Sequence, residues 1–307
     1  MLAKSEVEPC LHFWCRSRTS GGGDEAVRDI LGFPPLIVSV LCIVLTCLLA
    51  HLLRSIVLRN YQPSVWRSLA EEAIAGAELC GCCFELIIVA DNYGVWMYGL
   101  ILFLLTVWWG RQWGDATACP YTYLEDMLEG RSNYGVAILK TVAGLIGGLA
   151  VFKYVQFLWS FELTPTHVGR STARCTADLQ VPVLYGLIIE CAATFLCRIS
   201  SKTISKLEPK FGGVLDSFIG TSLVVAAFDT SGGYFNPLLA TGLKVGCRGH
   251  TFLQFLAVYW VGSTLGSAAA TQVFKMQAVR DLLLGTASKP TAPPPEEPSI
   301  WDDMPQD

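Results

Sequence analysis

One set of residues occurs twice along this chain at a nearly constant spacing, and this duplication constrains the fold more than any other feature. The duplicated residues are an acid, a pair that ends in proline, and two glycines, and each second copy lies 117 or 118 positions after the first. They are Glu72 with Glu190, Cys119-Pro120 with Asn236-Pro237, and Gly144 and Gly148 with Gly262 and Gly266. Repetition at a fixed spacing indicates that one structural unit is built twice. A seven-helix receptor bundle gives no reason for such a duplication.

Long apolar segments place both units in a membrane. Of the 307 residues, 52% are hydrophobic and 16% are charged, with a mean hydropathy of +0.45. A soluble domain carries about 25% charged residues. Since roughly 20 apolar residues form a helix that crosses the bilayer core, the sequence predicts a multi-pass membrane protein. The predicted apolar segments are 36–58, 68–90, 94–113, 134–159, 181–199, 211–229 and 251–274.

The order of segments predicts an inverted repeat. Each repeat contains three long segments and one short one, at 119–129 and at 236–244, so the second repeat enters the membrane from the opposite side. Basic residues are frequent in the linkers 54–67 and 198–210, which the positive-inside rule assigns to the cytosol. The segment 36–58 stands outside the repeat, as a signal anchor or an extra helix. If it spans, the N-terminus is lumenal and the C-terminus is cytosolic.

The two short segments predict half-helices that meet near the middle of the membrane. Asn236 is a favourable helix cap and Pro237 a favourable first helical residue. Because unpaired backbone groups cannot face lipid, protein must enclose both short segments. Two helix N-termini, each with about half a positive charge, would then repel cations and offer donors to a neutral solute. This arrangement predicts a selectivity device for small uncharged molecules.

This layout resembles the aquaporin/glycerol-facilitator (MIP) family, whose two NPA half-helices meet in an inverted repeat of six helices. The resemblance covers about 67–275, with repeats at about 67–160 and 181–275, and the run "DTSGGYFNPL" (229–238) carries much of it. It implies an all-α membrane protein. The degraded first motif, the extra apolar N-terminal segment and the run "LCGCCFEL" (79–86) resemble the unorthodox superaquaporin branch, which is aquaporin-11/12-like.

The resemblance also implies a role for each matching residue. The pore motif would consist of Cys119, Pro120 and Tyr121 in the first repeat and Asn236, Pro237 and Leu238 in the second. Glu72 and Glu190 would brace the half-helix loops, with a proton pathway as the alternative role. The outer constriction would be lined by Val224, Gly233 and Leu239. Helix packing, or alternatively an oligomer seam, would use Gly144, Gly148, Gly262 and Gly266.

Two departures from the family pattern affect the expected selectivity. Cys119 replaces an asparagine, so a weak S–H donor stands in for a carboxamide, and the helix cap should be weaker by about 1 kcal/mol. Leu239 stands three residues after Asn236, where orthodox members place an arginine. The outer constriction is therefore expected to be wider and more apolar than that of a strict water channel. Glycerol and hydrogen peroxide become plausible solutes beside water.

The sequence therefore favours a passive channel, without catalysis, cofactor or metal, whose partners are the lipid bilayer, water and small uncharged solutes. The resemblance implies a homotetramer and an intracellular membrane, either endoplasmic reticulum or vesicles. No basic patch indicates nucleic acid. The alternative is a membrane scaffold or organelle-homeostasis protein with a vestigial, poorly conducting pore. A coupled transporter is disfavoured because the two acids are the sole candidates for an ion site.

Several polar and cysteine residues leave open questions. The "CGCC" run at 80–83 is expected to pack as small hydrophobic residues, because no histidine lies nearby in sequence. Cys175 and Cys247 share the predicted lumenal side, and whether they pair stays open. The loop residues His167 and His250 are expected to be solvated. Glu78 and Glu85 share one face of a helix, which is either wet or packed on loop backbone.

Both chain ends are expected to lie outside the channel domain. The first 35 residues form an N-terminal tail of mixed composition. Residues 285–307 are rich in proline and acidic residues, a composition typical of a disordered tail.

Overall fold

The computed structural model describes residues 34–285, and this part of the chain is an all-α assembly without a β-strand. Five of its helices are long and apolar enough to cross a membrane. They are α1 (Pro35–Asn60), α2 (Val65–Gln112), α4 (Tyr134–Ser160), α5 (Val183–Leu207) and α8 (Phe252–Lys275). The shorter helices are α3 (Pro120–Leu128), α6 (Gly212–Ala227), α7 (Pro237–Lys244) and α9 (Gln277–Leu284). The predicted all-α fold is confirmed. Apart from their innermost residues, both predicted tails lie outside the described residues.

Helix α2 contains two of the predicted spans. Its 48 residues are divided by a kink at Gly94, whose φ of 81° and ψ of 169° are not helical. Glycine tolerates this positive φ without a steric penalty. The two halves, 65–93 and 95–112, therefore correspond to the separate segments 68–90 and 94–113 that the sequence predicts.

The duplicated glycines lie where α4 and α8 pack closely against neighbouring helices. In the first repeat, a Cβ atom added to Gly144 would lie 2.6 Å from the Leu238 side chain, and one added to Gly148 would lie 3.0 Å from the Cys80 sulfur. In the second repeat, a Cβ atom at Gly262 would lie 2.9 Å from the Leu187 carbonyl oxygen of α5. A Cβ atom at Gly266 would meet the carbonyl of Cys191. All four glycines thus lie at contacts within this one chain.

The extra helix α1 packs along the first half of α2 and reaches α4. The Cys47 and Cys82 sulfurs lie 3.7 Å apart, and the Thr46 hydroxyl lies 3.1 Å from that of Tyr154. Arg54 forms a buried ion pair with Glu78. Leucines such as Leu41 and Leu48 cover the opposite face, where more than half of each side chain is exposed. This face suits lipid, whereas the inner face holds α1 against the bundle.

Three expectations about polar residues are wrong. His167 is fully buried instead of solvated, and it contacts the Glu85 carboxylate. Arg54, counted among the basic residues of the predicted linker 54–67, is a buried residue of α1, because the helix continues to Asn60. The face shared by Glu78 and Glu85 is neither wet nor packed on loop backbone. It is buried, and side chains of other segments pair with both acids.

Candidate functional site

Two half-helices form the centre of the bundle. Helices α3 and α7 have 9 and 8 residues, too few to cross a bilayer at about 1.5 Å per residue. Each begins with proline at its first helical position, where the missing N–H costs no helical hydrogen bond. The residues before these prolines, Cys119 and Asn236, have extended backbone and are the N-caps.

The N-terminal ends of α3 and α7 are in direct contact. The Asn236 side-chain Nδ2 donates a hydrogen bond to the Ala118 carbonyl oxygen at 2.8 Å. The same side chain caps its own helix, since its Oδ1 accepts from the backbone N–H groups of Leu238 at 2.9 Å and Leu239 at 3.4 Å. The positive ends of both helix dipoles therefore point at one place. Asn236 is the residue that joins them.

Cys119 does not perform the equivalent capping function. Its side chain is buried and makes no capping hydrogen bond to α3. Two threonines organise this turn instead. Thr122 Oγ1 donates to the Cys119 carbonyl at 2.7 Å, and the hydroxyls of Thr117 and Thr122 lie 2.6 Å apart. The Cys119 side chain therefore does not replace, at the start of α3, the capping function that the Asn236 side chain has at the start of α7.

A buried acid holds the loop before each half-helix. Glu190 accepts hydrogen bonds from the backbone N–H groups of Tyr234 at 3.2 Å and Phe235 at 2.7 Å, and from Ser231 Oγ at 2.6 Å. Glu72 accepts from the backbone N–H of Thr117 at 3.1 Å. Both carboxylates are fully buried. The duplicated acids thus contact duplicated loops.

The same two loops share a strained backbone that sequence reasoning did not anticipate. Ala118 and Phe235, which immediately precede the N-caps, have φ angles of 48° and 45°. Residues with a Cβ atom rarely adopt this left-handed region, and they persist there when surrounding contacts fix them. The bonds from Glu190 and the Asn236–Ala118 contact supply such constraints.

The three positions proposed for the outer constriction lie near α7. Gly233 is buried with φ 63°, and a Cβ atom there would lie 2.7 Å from the Val224 carbonyl oxygen. Glycine is therefore required both by backbone conformation and by close approach. Val224 and Leu239 are half-buried. Tyr121 is buried, with the Arg198 guanidinium 5.8 Å from its ring centre.

The C-terminal ends of the half-helices carry further ionic contacts that the sequence did not indicate. In α3, Glu125 is buried and receives two hydrogen bonds of 2.7 Å from Arg198 of α5. Lys202 and Ser267 also contact this carboxylate, at 2.9 Å and 2.5 Å. These donors hold α3 against α5 and α8. They also offset a negative charge near a helix C-terminus, which is unfavourable by itself.

The C-terminal end of α7 is tied to the loop between α4 and α5. Cys175 and Cys247 form a disulfide, and Thr176 forms a β-bridge with Arg248. Lys244 Nζ lies 2.7 Å from Asp178 Oδ1, and the Tyr234 hydroxyl donates to Asp178 Oδ2 at 2.5 Å. The question of whether Cys175 and Cys247 pair is answered by this disulfide.

Two half-helices that meet end to end inside an inverted repeat define a class of membrane channel, and comparisons with known proteins agree. Aquaporin-11 of Milnesium tardigradum is 30% identical over 250 residues, which cover 80% of this chain and 90% of that protein. Aquaporin-12 of Mus musculus is 26% identical over 234 residues, which cover 73% of this chain and 80% of that protein. Aquaporin-11 of Homo sapiens is 27% identical over 222 residues, which cover 71% of this chain and 82% of that protein. No family model matches.

The solved structures agree on the fold. The aquaglyceroporin from Plasmodium falciparum superimposes with a TM-score of 0.57 at 12% identity, covering 72% of this chain and 99% of that one. The chain belongs to the aquaporin family, in the branch of aquaporin-11 and aquaporin-12. The expectation of a membrane channel that is not an enzyme is confirmed.

Proposed function

We propose that this chain conducts water, and glycerol or hydrogen peroxide beside it, passively through a path at the junction of α3 and α7. The observation that carries the proposal is the bonding of Asn236. Its amide nitrogen has two hydrogens, and one of them forms a hydrogen bond to the Ala118 carbonyl oxygen. The second hydrogen is available to a solute oxygen at the point where the two helix dipoles converge.

The charge distribution supports uncharged solutes. Each half-helix contributes about +0.5 elementary charge at its N-terminus, so a cation that reaches the junction meets two positive ends and loses water. A neutral hydroxyl or water oxygen instead gains an oriented donor. Glu72 and Glu190 accept hydrogen bonds from loop groups, which hold both carboxylates at the loops before the half-helices.

The proposed outer constriction determines the range of solutes. The proposed lining has no formal charge and little polarity at Val224, Gly233 and Leu239. The free-energy cost of passing it is therefore lower for a solute with carbon atoms than it would be beside an arginine. Glycerol and hydrogen peroxide fit this description, and inorganic cations do not. A homotetramer in an intracellular membrane, either endoplasmic reticulum or vesicles, is proposed from the family resemblance.

A second candidate function, a membrane scaffold with a poorly conducting pore, is favoured by one observation. Cys119 gives α3 no side-chain cap and offers no carboxamide donor at the junction. In that case the hydrogen bonds of Glu72 and Glu190 would serve only folding.

Purified protein in liposomes separates the two functions. We expect osmotic water flux, glycerol uptake and peroxide entry above those of empty liposomes, without a cation current. Leu239→Met, which keeps an uncharged side chain of similar volume, serves as a matched control and should conduct like the wild type. Flux at the level of empty liposomes for all three solutes, in correctly inserted protein, would favour the scaffold.

A further inference from the structure

Three potential metal ligands from separate segments meet away from the half-helices. They are Cys42 of α1, Glu85 of α2 and His167 of the loop between α4 and α5, and one ligand atom of each lies within 4.8 Å of the others. All three residues are buried. We propose that Cys42, Glu85 and His167 form a zinc site that fastens α1 and this loop to α2.

The bonding of His167 leaves it able to bind a metal. Its Nε2 lies 2.8 Å from Glu85 Oε1, while its Nδ1 is buried and has no hydrogen-bond partner within residues 34–285. A buried polar atom without a partner costs about 1–3 kcal/mol. Zinc-bound histidines use one ring nitrogen for the metal and the other for a carboxylate or carbonyl. Because Glu85 lies on the Nε2 side of the ring, a zinc ion bound to both residues takes Nε2 and replaces this hydrogen bond, while Nδ1 is left for an orienting contact.

The surrounding residues hold the ligands in position. Trp159 Nε1 donates to Glu85 Oε2 at 2.9 Å, which fixes the carboxylate from the α4 side. The backbone N–H of His167 donates to the Thr164 carbonyl at 2.9 Å, and its carbonyl accepts from Arg170 at 3.0 Å. A carboxylate has about four lone-pair positions, so Glu85 can accept from Trp159 and still bind a metal ion.

The ligand chemistry selects zinc. Thiolate, imidazole and carboxylate are the side chains that bind Zn²⁺, at about 2.3, 2.0–2.1 and 2.0–2.2 Å. Tetrahedral ligands at these lengths are roughly 3.2–3.6 Å apart. The His167 Nε2–Glu85 Oε1 pair, at 2.8 Å, must therefore separate by about 0.5 Å, and the Cys42 sulfur, within 4.8 Å of both, must come to a similar distance. A zinc ion also balances the charge, because the thiolate and the carboxylate together cancel its two positive charges. Without a metal, a buried carboxylate has to be neutralised in another way.

Metal analysis of tag-free, full-length protein tests this site with zinc as the only probe. After incubation with Zn²⁺ and dialysis, we expect about one zinc per chain. Cys42→Ser and His167→Gln should bind zinc at least about ten-fold more weakly, the loss that even an outer-shell change causes. Gln at 167 can still donate to Glu85, so the fold is expected to survive. Matched controls are Cys47→Ser on the same helix and His250→Gln, another loop histidine with a buried, partnerless nitrogen.

Cobalt substitution supplies a readout that folding alone does not change. Co²⁺ bound at this site should show a thiolate-to-metal charge-transfer band that Cys42→Ser abolishes and Cys47→Ser retains. Absence of zinc from folded wild-type protein, or equal zinc in all four variants, would overturn the proposal. If either ligand variant fails to fold, the charge-transfer band of wild-type protein decides, because its absence excludes a thiolate ligand.

Discussion

Leu239 is proposed to line the outer constriction, and this role can be measured at the scale of one residue. Leu239→Arg should reduce glycerol flux more than water flux, because a long cationic side chain narrows the path and adds a strongly hydrated group. Flux of both solutes in liposomes gives the ratio, with Leu239→Met as the uncharged control. An equal loss for glycerol and water would show that Leu239 does not line the constriction.

Glu190 accepts three hydrogen bonds from the loop before its half-helix, whereas Glu72 accepts one. Glu190→Gln replaces one acceptor oxygen by a donor that faces the N–H groups of Tyr234 and Phe235. We expect it to destabilise the protein by about 3 kcal/mol, since charged hydrogen bonds contribute about 1.5–3 kcal/mol each and an unpaired buried donor adds to the loss. Thermal unfolding in detergent measures this. The exposed Glu208→Gln is the control, and the same melting temperature in both variants would contradict the bracing role.

At the scale of elements, the disulfide between Cys175 and Cys247 holds α7 to the loop that precedes α5. Its sequence separation is 72 residues. Closing a loop of this size lowers the entropy of the unfolded chain, which stabilises the folded state by about 4 kcal/mol. The Cys175→Ser/Cys247→Ser double variant should melt at a lower temperature than the wild type. A reductant should lower the melting temperature of the wild type to that of the variant. A reductant shift of equal size in the variant would mean that the stabilisation comes from a different disulfide.

The helices could be predicted from the sequence because their signals lie in neighbouring residues. Proline at the first helical position and the fixed spacing of the repeat identified α3 and α7, and hydropathy identified the long helices. The partners of Glu125, in contrast, are Arg198 and Lys202 in α5, 73 residues or more away. His167 pairs with Glu85 across 82 residues. No periodicity encodes such contacts, so a buried loop histidine looks in sequence like a solvated one.

At the scale of the whole molecule, α1 is joined to the channel body by a buried charge pair. Arg54→Met should destabilise the protein by about 3–5 kcal/mol, because Glu78 then remains buried and unpaired. Adding Glu78→Gln should restore much of the stability, since glutamine keeps an acceptor for Trp113 Nε1, which donates to Glu78 at 2.9 Å. Thermal unfolding of the single and double variants measures the coupling. A double variant less stable than Arg54→Met would contradict this account of how α1 docks.

The overall architecture was the most predictable level, and the outer surface of the bundle the least. The duplicated acids, prolines and glycines were sufficient to predict the inverted repeat. Each type recurs for a physical reason: the acids hold loops, the prolines begin helices and the glycines allow close packing. The docking of α1 was not predictable, since the hydropathy of 36–58 is equally suited to a free anchor. Arg54, which makes the buried contact to Glu78, lies in the predicted linker 54–67.

The central claim is that solutes pass the junction that Asn236 joins. Its most direct test compares water and glycerol flux of wild type and Asn236→Asp in liposomes at equal protein content. Aspartate keeps the acceptor that caps α7 but loses the N–H donors to Ala118 and to the solute. We predict flux above empty liposomes for the wild type and a large loss for Asn236→Asp in folded protein. Wild-type flux in Asn236→Asp would contradict the role of this junction.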